Sequence, residues 1–552
     1  MVVLNGNLDV RNTNFTNNTA NMDTSTDDNN GGGIYLFNGN INVDNSTFKN
    51  NHANHGAGLD TRFANVNIKN SLFDGNNAVY GGGVYTRGGN ITLSNSALSN
   101  NNVSMNGGGV YNLNGSATID NCNISSNIAA DNGGGLDARY GSYNIKNSLI
   151  SHNTGKNGAG AYVHYGNLNI TSSNVSDNSG EYGAGLFCED GNLNLLSSNV
   201  SFNRASLNAA GAYNINGTVT IDNSTFEGNV AGNNGGGLDT RHGNSYIVNS
   251  KFIKNNASQG GGFYTRDGNV TINNTVLSDN VAMCNGRAIY NNNPMTIQKC
   301  TFENNKVVFN DGGAIKNYAE MNISDSVFNG NIGIYFAGAI RNEGSMKINR
   351  TIFTGNKAFN DNDAVWSGAV FSCGDLLVEN SSFQDNQANY KSVNSCGYAG
   401  AIYNCRGKFT VLTSNFTGNK AGFDGGAVYT DGGDFVVRDS KFMDNFAGER
   451  AGALHNWVGN CNVINCEFMN NSAPNGGAFY SDGGSHNNIT SSTFKDNEAD
   501  RGGAIYSSDN SYLDIGDSTL TNNKVDHIFD SILGVINKNG KYNNIIIHNC
   551  AF

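Results

Sequence analysis

The side chains best suited to bind a partner gather in one stretch of the chain. Asp361, Asp363 and Trp366 occupy one segment, and Tyr390 and Tyr398 follow in the next. Trp366 is one of only two tryptophans in the chain. Rigid aromatic side chains are common binding anchors, and loops carried by a rigid scaffold often hold binding sites. We therefore predict a binding site at these five residues.

A second set of aromatic residues recurs along the chain, and Tyr85 and Tyr111 belong to it. On the predicted strands these aromatic residues alternate with side chains that point into the core. We therefore expect the aromatic residues to be exposed to solvent. Repeated aromatic faces could stack on sugar rings or pack against a protein partner. The alternative is that exposed tyrosine simply suits a β-strand. Tyr85 and Tyr111 are therefore secondary candidates for binding.

The ten cysteines contain no Cys-x-x-Cys pair, so they do not predict a zinc site. Cys373 and Cys405 fall at equivalent positions in consecutive repeats and could form a disulfide, with Cys396 as a rival partner. Four other cysteines occupy a column of small residues that we expect to be buried. They are Cys122, Cys300, Cys466 and Cys550.

Paired Asp and Arg residues raise the question of catalysis. They occur as Asp60/Arg62, Asp137/Arg139 and Asp239/Arg241. An acid/base site needs carboxylates grouped in one place, whereas these pairs are spread along the chain. We interpret them as surface salt links and predict that the protein is not an enzyme. The nine histidines show no metal-ligand spacing, so we predict neither a metal nor a cofactor.

These residues sit within a repeat of 25 or 26 residues. Each repeat has a triplet of small residues, then an apolar residue and usually an aromatic one. Halfway between triplets lies a large apolar residue followed three positions later by Asn. The first motif is seen at 31–35, 81–85, 107–111, 425–429 and 502–506, and the second at Phe48/Asn51, Phe73/Asn76, Phe226/Asn229, Phe353/Asn356 and Phe494/Asn497. A fixed period of this length is typical of a stacked repeat protein.

The pattern predicts an all-β fold. Each repeat holds three short alternating runs separated by Gly and Asn turns, which indicates three strands per coil. We predict a right-handed parallel β-helix of about 20 coils, forming a single domain over residues 1–552. Proline occurs only twice, as expected where nearly every strand is central. Stacking should bury the apolar and Phe columns and align the Asn residues as a ladder of amides.

Two consecutive coils are longer than the rest. The additional residues fall in the same turn of each coil, within the segment 357–399. We expect the two lengthened turns to lie side by side as one lobe that carries the predicted binding residues. Residues 524–552 are predicted to form an irregular last coil.

Composition narrows the functional classes. Charged residues make up 14% of the chain and the net charge is −12, so no basic surface is available for nucleic acid. The sequence contains no run of 18 apolar residues, so no membrane-spanning helix is predicted. The N-terminal residues lack the charged segment and apolar core of a signal peptide. The first residues already match the middle of a repeat, and the last residues end within a repeat. We expect the chain to be a segment of a longer secreted protein.

The two motifs resemble the repeats of the polymorphic outer-membrane autotransporters of chlamydiae. The Asn-rich sequence of residues 40–48 also resembles the sequences of adhesin-like surface proteins of methanogenic archaea. The resemblance implies a parallel β-helix displayed outside the cell, which attaches to a cell-surface protein or a glycan. Two alternatives remain open: a carbohydrate-active enzyme of the polysaccharide lyase or glycosidase type, and a structural spacer.

Overall fold

The computed structural model describes residues 1–20, 30–286, 288–307, 313–389, 396–508, 511–525, 533–534 and 544–552. Within these residues the regular structure is entirely β, with no helix. They therefore include no apolar helix long enough to cross a membrane. The chain divides into two compact units, Met1–Thr271 and Ile272–Phe552. In each unit, strands of successive coils pair in parallel as a β-solenoid.

One coil of the first unit illustrates the repeat. It comprises the strands Val84–Arg87, Ile91–Ser94, Ala97–Ser99 and Asn102–Asn106. The first three are the strands predicted from the sequence, and each pairs in register with its equivalent in the next coil. The fourth strand was not predicted. It forms because the segment after the Asn column also runs parallel to the coils above and below it.

The two strands that organise each coil recur throughout both units. The strand after the triplet spans Ile34–Asp44, Leu59–Lys69, Val84–Arg87, Val110–Leu113, Leu136–Arg139, Ala161–His164, Leu186–Glu189, Ala212–Ile215, Leu238–Arg241 and Phe263–Arg266 in the first unit, and Ile289–Asn291, Ile315–Asn317, Ile340–Asn342, Val370–Ser372, Ile402–Cys405, Val428–Asp431, Leu454–Trp457, Phe479–Asp482 and Ile505–Ser507 in the second. The strand of the Phe column spans Asn14–Thr16, Thr47–Lys49, Leu72–Asp74, Ala97–Ser99, Asn123–Ser125, Leu149–Ser151, Asn174–Ser176, Asn199–Ser201, Thr225–Glu227 and Lys251–Ile253, and then Val276–Ser278, Thr301–Glu303, Val327–Asn329, Ile352–Thr354, Ser382–Gln384, Asn415–Thr417, Lys441–Met443, Glu467–Met469, Thr493–Lys495 and Thr519–Thr521.

The predicted burial of the Phe column is confirmed. Phe328, Phe353 and Phe383 have no exposed surface. Their rings stack face to face, with centroids 4.7 Å apart on both sides of Phe353. In-register parallel pairing sets this spacing, because it places each ring one strand separation from the next. In the core, apolar side chains of successive coils therefore form a continuous stack.

The predicted Asn ladder is also confirmed, and it is buried. The Nδ2 amide of Asn178 donates to Asn203 Oδ1 at 2.9 Å and to the Ile150 carbonyl at 3.0 Å. The backbone N–H of Asn178 donates to the same Asn203 oxygen at 3.0 Å. Asn153, one coil earlier, donates to Asn178 Oδ1 in the same two ways. Each ladder side chain thus satisfies backbone groups at the equivalent turn of the preceding coil.

The column of small residues forms a second ladder. The backbone N–H of Ser46 donates to Ser71 Oγ at 3.1 Å, and that of Ser71 donates to Ser96 Oγ at 3.0 Å. Cys122, Cys300 and Cys466 occupy this column and are buried, as predicted. The prediction is wrong for Cys550, which is only half-buried. It lies in a largely exposed segment, in which Ile547 and Phe552 are exposed as well.

The described residues at the end of the chain form the strands Lys524–Val525, Leu533–Gly534 and Asn544–His548. Most of the predicted irregular last coil lies outside the described residues. The single-domain organisation and the right-handed sense of the coils stay predictions.

Candidate functional site

The column two residues after each triplet is buried, so the prediction that it is exposed is wrong. Tyr85 and Tyr111 are 5% and 7% exposed. The same holds for most members of this column, which we call the inner column. It comprises Tyr35, Asp60, Tyr85, Tyr111, Asp137, Tyr162, Phe187, Tyr213, Asp239 and Tyr264 in the first unit, and Tyr290, Lys316, Arg341, Phe371, Tyr403, Tyr429, His455, Tyr480 and Tyr506 in the second.

The inner column is buried because residues just before the triplet fold back over it. His55 lies 5.0 Å from the ring of Tyr85, and Tyr80 lies 5.8 Å from that of Tyr111. The reversal depends on the first triplet residue. Gly81 has a φ of 61°, and a Cβ there would lie 2.8 Å from that of Tyr85. Glycine allows both the left-handed backbone and the close approach of the side chain beneath it.

The Asp-x-Arg pairs are not surface salt links, because their carboxylates are fully buried. Asp60, Asp137 and Asp239 have no exposed surface. Burial raises the pKa of Asp60 and Asp137 to about 7 and that of Asp239 to about 6, although the neighbouring Arg opposes the change. The Arg of each Asp-x-Arg pair lies over the rings of neighbouring tyrosines. The Arg241 guanidinium is 5.3 Å from the Tyr213 ring and 5.8 Å from the Tyr264 ring.

Tyr85 and Tyr111 nevertheless reach a small surface pocket. It has a volume of about 360 Å³ and is lined by His55, Tyr80, Tyr85, Met105, Asn106, Tyr111, Asp131 and Arg139. The two tyrosines present little of their rings to it. A binding role for them stays a prediction.

In the second unit, the part of the inner column from Phe371 to Tyr480 is a stack of aromatic rings. Phe371, Tyr403 and Tyr429 stack with centroids 5.4 and 5.0 Å apart. His455 and Tyr480 continue the stack in edge-to-face contacts of 4.7 and 4.9 Å. All five side chains are buried. This stack is a rigid base for what lies above it.

A second layer of rings lies over this base. Phe336 and Trp366 stack with centroids 6.3 Å apart, and Trp366 stacks on Tyr398 at 5.0 Å. Phe423 meets Tyr398 edge-on at 6.0 Å. We call these four residues the outer aromatic row. All four are half-buried, so each ring keeps part of its surface open to solvent.

The outer aromatic row is fixed from below and flanked by arginine. Trp366 packs edge-on against Tyr403 at 5.2 Å, and Tyr398 against Tyr429 at 5.6 Å. The Arg341 guanidinium lies 3.8 Å from the centroid of the Phe336 ring, and that of Arg450 lies 5.7 Å from Phe423. The row is therefore a preorganised aromatic surface flanked by two cations.

The lengthened turns lie side by side, next to this row. The short strand Val365–Ser367 pairs in parallel with Gly397–Ala399, which sets Trp366 beside Tyr398. Asp361 and Asp363 are exposed in the first turn. The Asp363 carboxylate accepts a 3.3 Å hydrogen bond from the Tyr335 hydroxyl. Tyr390 lies outside the described residues.

The cysteines near the row are free thiols in the structure, as are all ten. Cys373 and Cys405 occupy adjacent coils in register and pack against the aromatic layers. Burial raises the pKa of the Cys373 thiol well above its usual range, and the neighbouring Cys405 thiol adds to the effect. The backbone carbonyl of Cys396 accepts a hydrogen bond from Val365 N–H at 2.8 Å. A disulfide among these three stays a prediction.

A buried charge cluster that sequence reasoning missed lies farther along the inner column. His455 is 1% exposed, and its Nε2 lies 3.1 Å from Asp482 Oδ1. Its Nδ1 lies 3.5 Å from Asp424 Oδ2. Arg450 approaches the same two carboxylates at 3.9 and 3.6 Å. Burial alone would lower the pKa of His455, but the two carboxylates outweigh it and raise the pKa to about 9.

This raised pKa predicts that alkali weakens the second unit. The folded state holds the His455 proton more tightly than the unfolded chain, whose pKa is near 6.5. The stabilisation is therefore complete below about pH 6.5 and is lost as the pH rises through 9. We expect the free energy of unfolding of the wild type, measured relative to His455→Gln in urea, to fall over this interval. A difference that stays constant from pH 6 to pH 10 would contradict the assignment.

Sequence reasoning placed Trp366 and Tyr398 together but missed their partners. Phe336 and Phe423 stand shortly before their triplets, as Trp366 and Tyr398 do. An aromatic residue one or two positions before a triplet is the signal that would have located the row. Taken together, the row, the two arginines and the acidic turn can bind a ligand by ring stacking and by hydrogen bonds.

Comparison with known proteins gives one family match. A model of the Chlamydia polymorphic membrane protein repeat matches residues 491–508. This segment contains Phe494 and Asn497 of one motif and the triplet that precedes Ile505 and Tyr506 of the other. No curated protein matches the chain significantly. The chain is therefore similar to the chlamydial repeat over 18 residues, which is less than one coil.

Proposed function

We propose that this protein is a non-enzymatic, adhesin-like module of the cell surface, and that it attaches to glycans through the outer aromatic row. The observation that carries the proposal is the row itself: four half-buried rings, supported by a buried aromatic layer and flanked by Arg341 and Arg450. The match to a repeat of a polymorphic membrane protein supports a surface location outside the cell.

Glycans suit this surface better than an apolar partner would. Sugar rings have apolar faces that stack on aromatic rings, and hydroxyl groups that need polar partners. The exposed carboxylates of Asp361 and Asp363 are acceptors for such hydroxyls. A protein partner is the alternative, and the test below separates the two.

The test compares the wild type with a variant in which both turns have standard length. The coil from Ala339 to the equivalent Ala369 is 30 residues long, and the coil from Ala369 to Ala401 is 32 residues long. Deleting residues 359–363 and 390–396 returns both spacings to that of a 25-residue coil. Both proteins are applied to a glycan array and to cells with and without enzymatic removal of surface glycans.

We expect the wild type to bind the array and the untreated cells. The shortened protein keeps the four rings of the outer aromatic row but lacks Asp361 and Asp363, so we expect it to bind both more weakly. The circular dichroism spectrum and unfolding midpoint of the shortened protein serve as the folding control. Equal binding by the two folded proteins would contradict a role for the lengthened turns in the site. Binding that survives glycan removal would identify a protein partner instead.

A carbohydrate-active enzyme is the second candidate, and the buried cluster of His455 with Asp424 and Asp482 favours it. A histidine between two carboxylates could transfer protons. Incubation with polysaccharides should then release new reducing ends or unsaturated products, and His455→Gln should abolish the release. Our proposal expects no product from either protein.

A further inference from the structure

A mixed cluster of His and carboxylate side chains lies in the first unit, apart from the outer aromatic row. His164 and Glu189 hold the same position in adjacent coils, and Asp190 follows at the corner with a φ of 53°. One ligand atom from each residue lies within 4.8 Å of the other two. His164 Nε2 and Asp190 Oδ2 are already 3.3 Å apart.

Neighbouring groups orient each of these side chains. The Tyr162 hydroxyl donates a 2.6 Å hydrogen bond to Glu189 Oε2. The Nδ2 amide of Asn216 donates a 2.9 Å hydrogen bond to Asp190 Oδ1. The His164 ring stacks on Tyr165 with centroids 4.0 Å apart. Outer hydrogen bonds of this kind hold metal ligands in place.

We propose that His164, Glu189 and Asp190 bind a zinc ion. One imidazole nitrogen with two carboxylate oxygens is a ligand set that suits zinc, whereas calcium prefers six to eight oxygen ligands. Zinc bonds of about 2.0–2.2 Å place ligand atoms roughly 3–4 Å apart, so small side-chain rotations complete the site. His164 and Asp190 are about a quarter exposed, which leaves a further coordination position open to solvent.

Two other histidine clusters mark the contrast. His242 lies 3.0 Å from Asp267, but both are more than half exposed. In the part of the chain that the structure describes, these two do not belong to a group of three such ligands. His455 is already held between two carboxylates and is buried. Among the described residues, only the group at His164 brings three such ligand atoms together.

The test is a zinc titration of the metal-free protein by isothermal calorimetry. We expect His164→Gln to lose one zinc ion per chain, and the matched control His242→Gln to retain it. Tyr162→Phe keeps all three ligands but removes one orienting bond, so its zinc affinity should fall about 10- to 100-fold. Zinc should raise the unfolding midpoint of the wild type but not that of His164→Gln.

Folding is checked by the circular dichroism spectrum of each variant without metal. Equal zinc binding by the wild type and a folded His164→Gln would overturn the proposal. Calcium that displaces zinc at equal concentration would also overturn it, since the imidazole would then not be a ligand.

Discussion

Phe353→Ala is expected to lower the free energy of unfolding by about 3–5 kcal/mol. Phe353 has no exposed surface and is stacked between Phe328 and Phe383, each 4.7 Å away. Both neighbours are fixed by in-register strands on either side. The coils therefore cannot close around the missing ring, and a cavity remains. Urea unfolding followed by circular dichroism measures the loss.

Phe359→Ala is the matched control for this substitution. It removes the same side chain a few residues later, where the ring is 47% exposed. Its effect should stay within about 0.5 kcal/mol. A cost below about 1 kcal/mol for Phe353→Ala would mean that the stack contributes little to the stability of the second unit.

Asn178→Ala should cost about 2–4 kcal/mol, because buried polar groups would lose their partners. The backbone N–H of Asn153 and the Oδ1 of Asn203 both bond to the Asn178 amide. The carbonyl of Ile150 also accepts from it. All are buried in a turn that the coils above and below hold in place. Urea unfolding again measures the cost.

The control here is another amide ladder on the surface. Asn169 donates to Asn144 at 2.7 Å and accepts from Asn194 at 2.7 Å, but water reaches these groups. We expect Asn169→Ala to cost less than about 1 kcal/mol, since water replaces the lost bonds. Similar costs for the two substitutions would show that burial is not what makes the inner ladder important.

The columns of the fold could be predicted because the repeat has a fixed length. Residues one period apart must lie on top of one another, so Phe353 and Asn178 could be assigned to a core stack and to a ladder of amides from spacing alone. The burial of the ladder became visible only in the structure. The pairing of Trp366 with Tyr398 followed from the same logic, because consecutive coils lengthened in the same turn.

Burial of the inner column could not be predicted from alternation along a strand. Side chains such as Tyr85 point away from the core of the coil, which in a single sheet means toward solvent. The turn before the triplet covers them, and Gly81 makes this possible by its left-handed backbone. The raised pKa of Asp137 has the same origin, since its carboxylate lies under that cover.

The His164 cluster was missed for a related reason. His164 and Glu189 share a column, but Asp190 belongs to the next position and joins them only because the chain turns sharply there. No linear spacing of metal ligands records such a corner. The same column in two coils, read together with the corner residue, is the pattern to search for in other solenoids.

The central claim is that recognition occurs on the outer aromatic row, and one measurement tests it directly. The dissociation constant for the best glycan from the array is measured for the wild type and for the double variant Trp366→Ala/Tyr398→Ala. The control is Trp457→Ala, which removes the other tryptophan, 44% exposed and outside the row. The account predicts that the double variant loses at least about tenfold in affinity while the control matches the wild type. Equal affinity of a folded double variant and the wild type would contradict it.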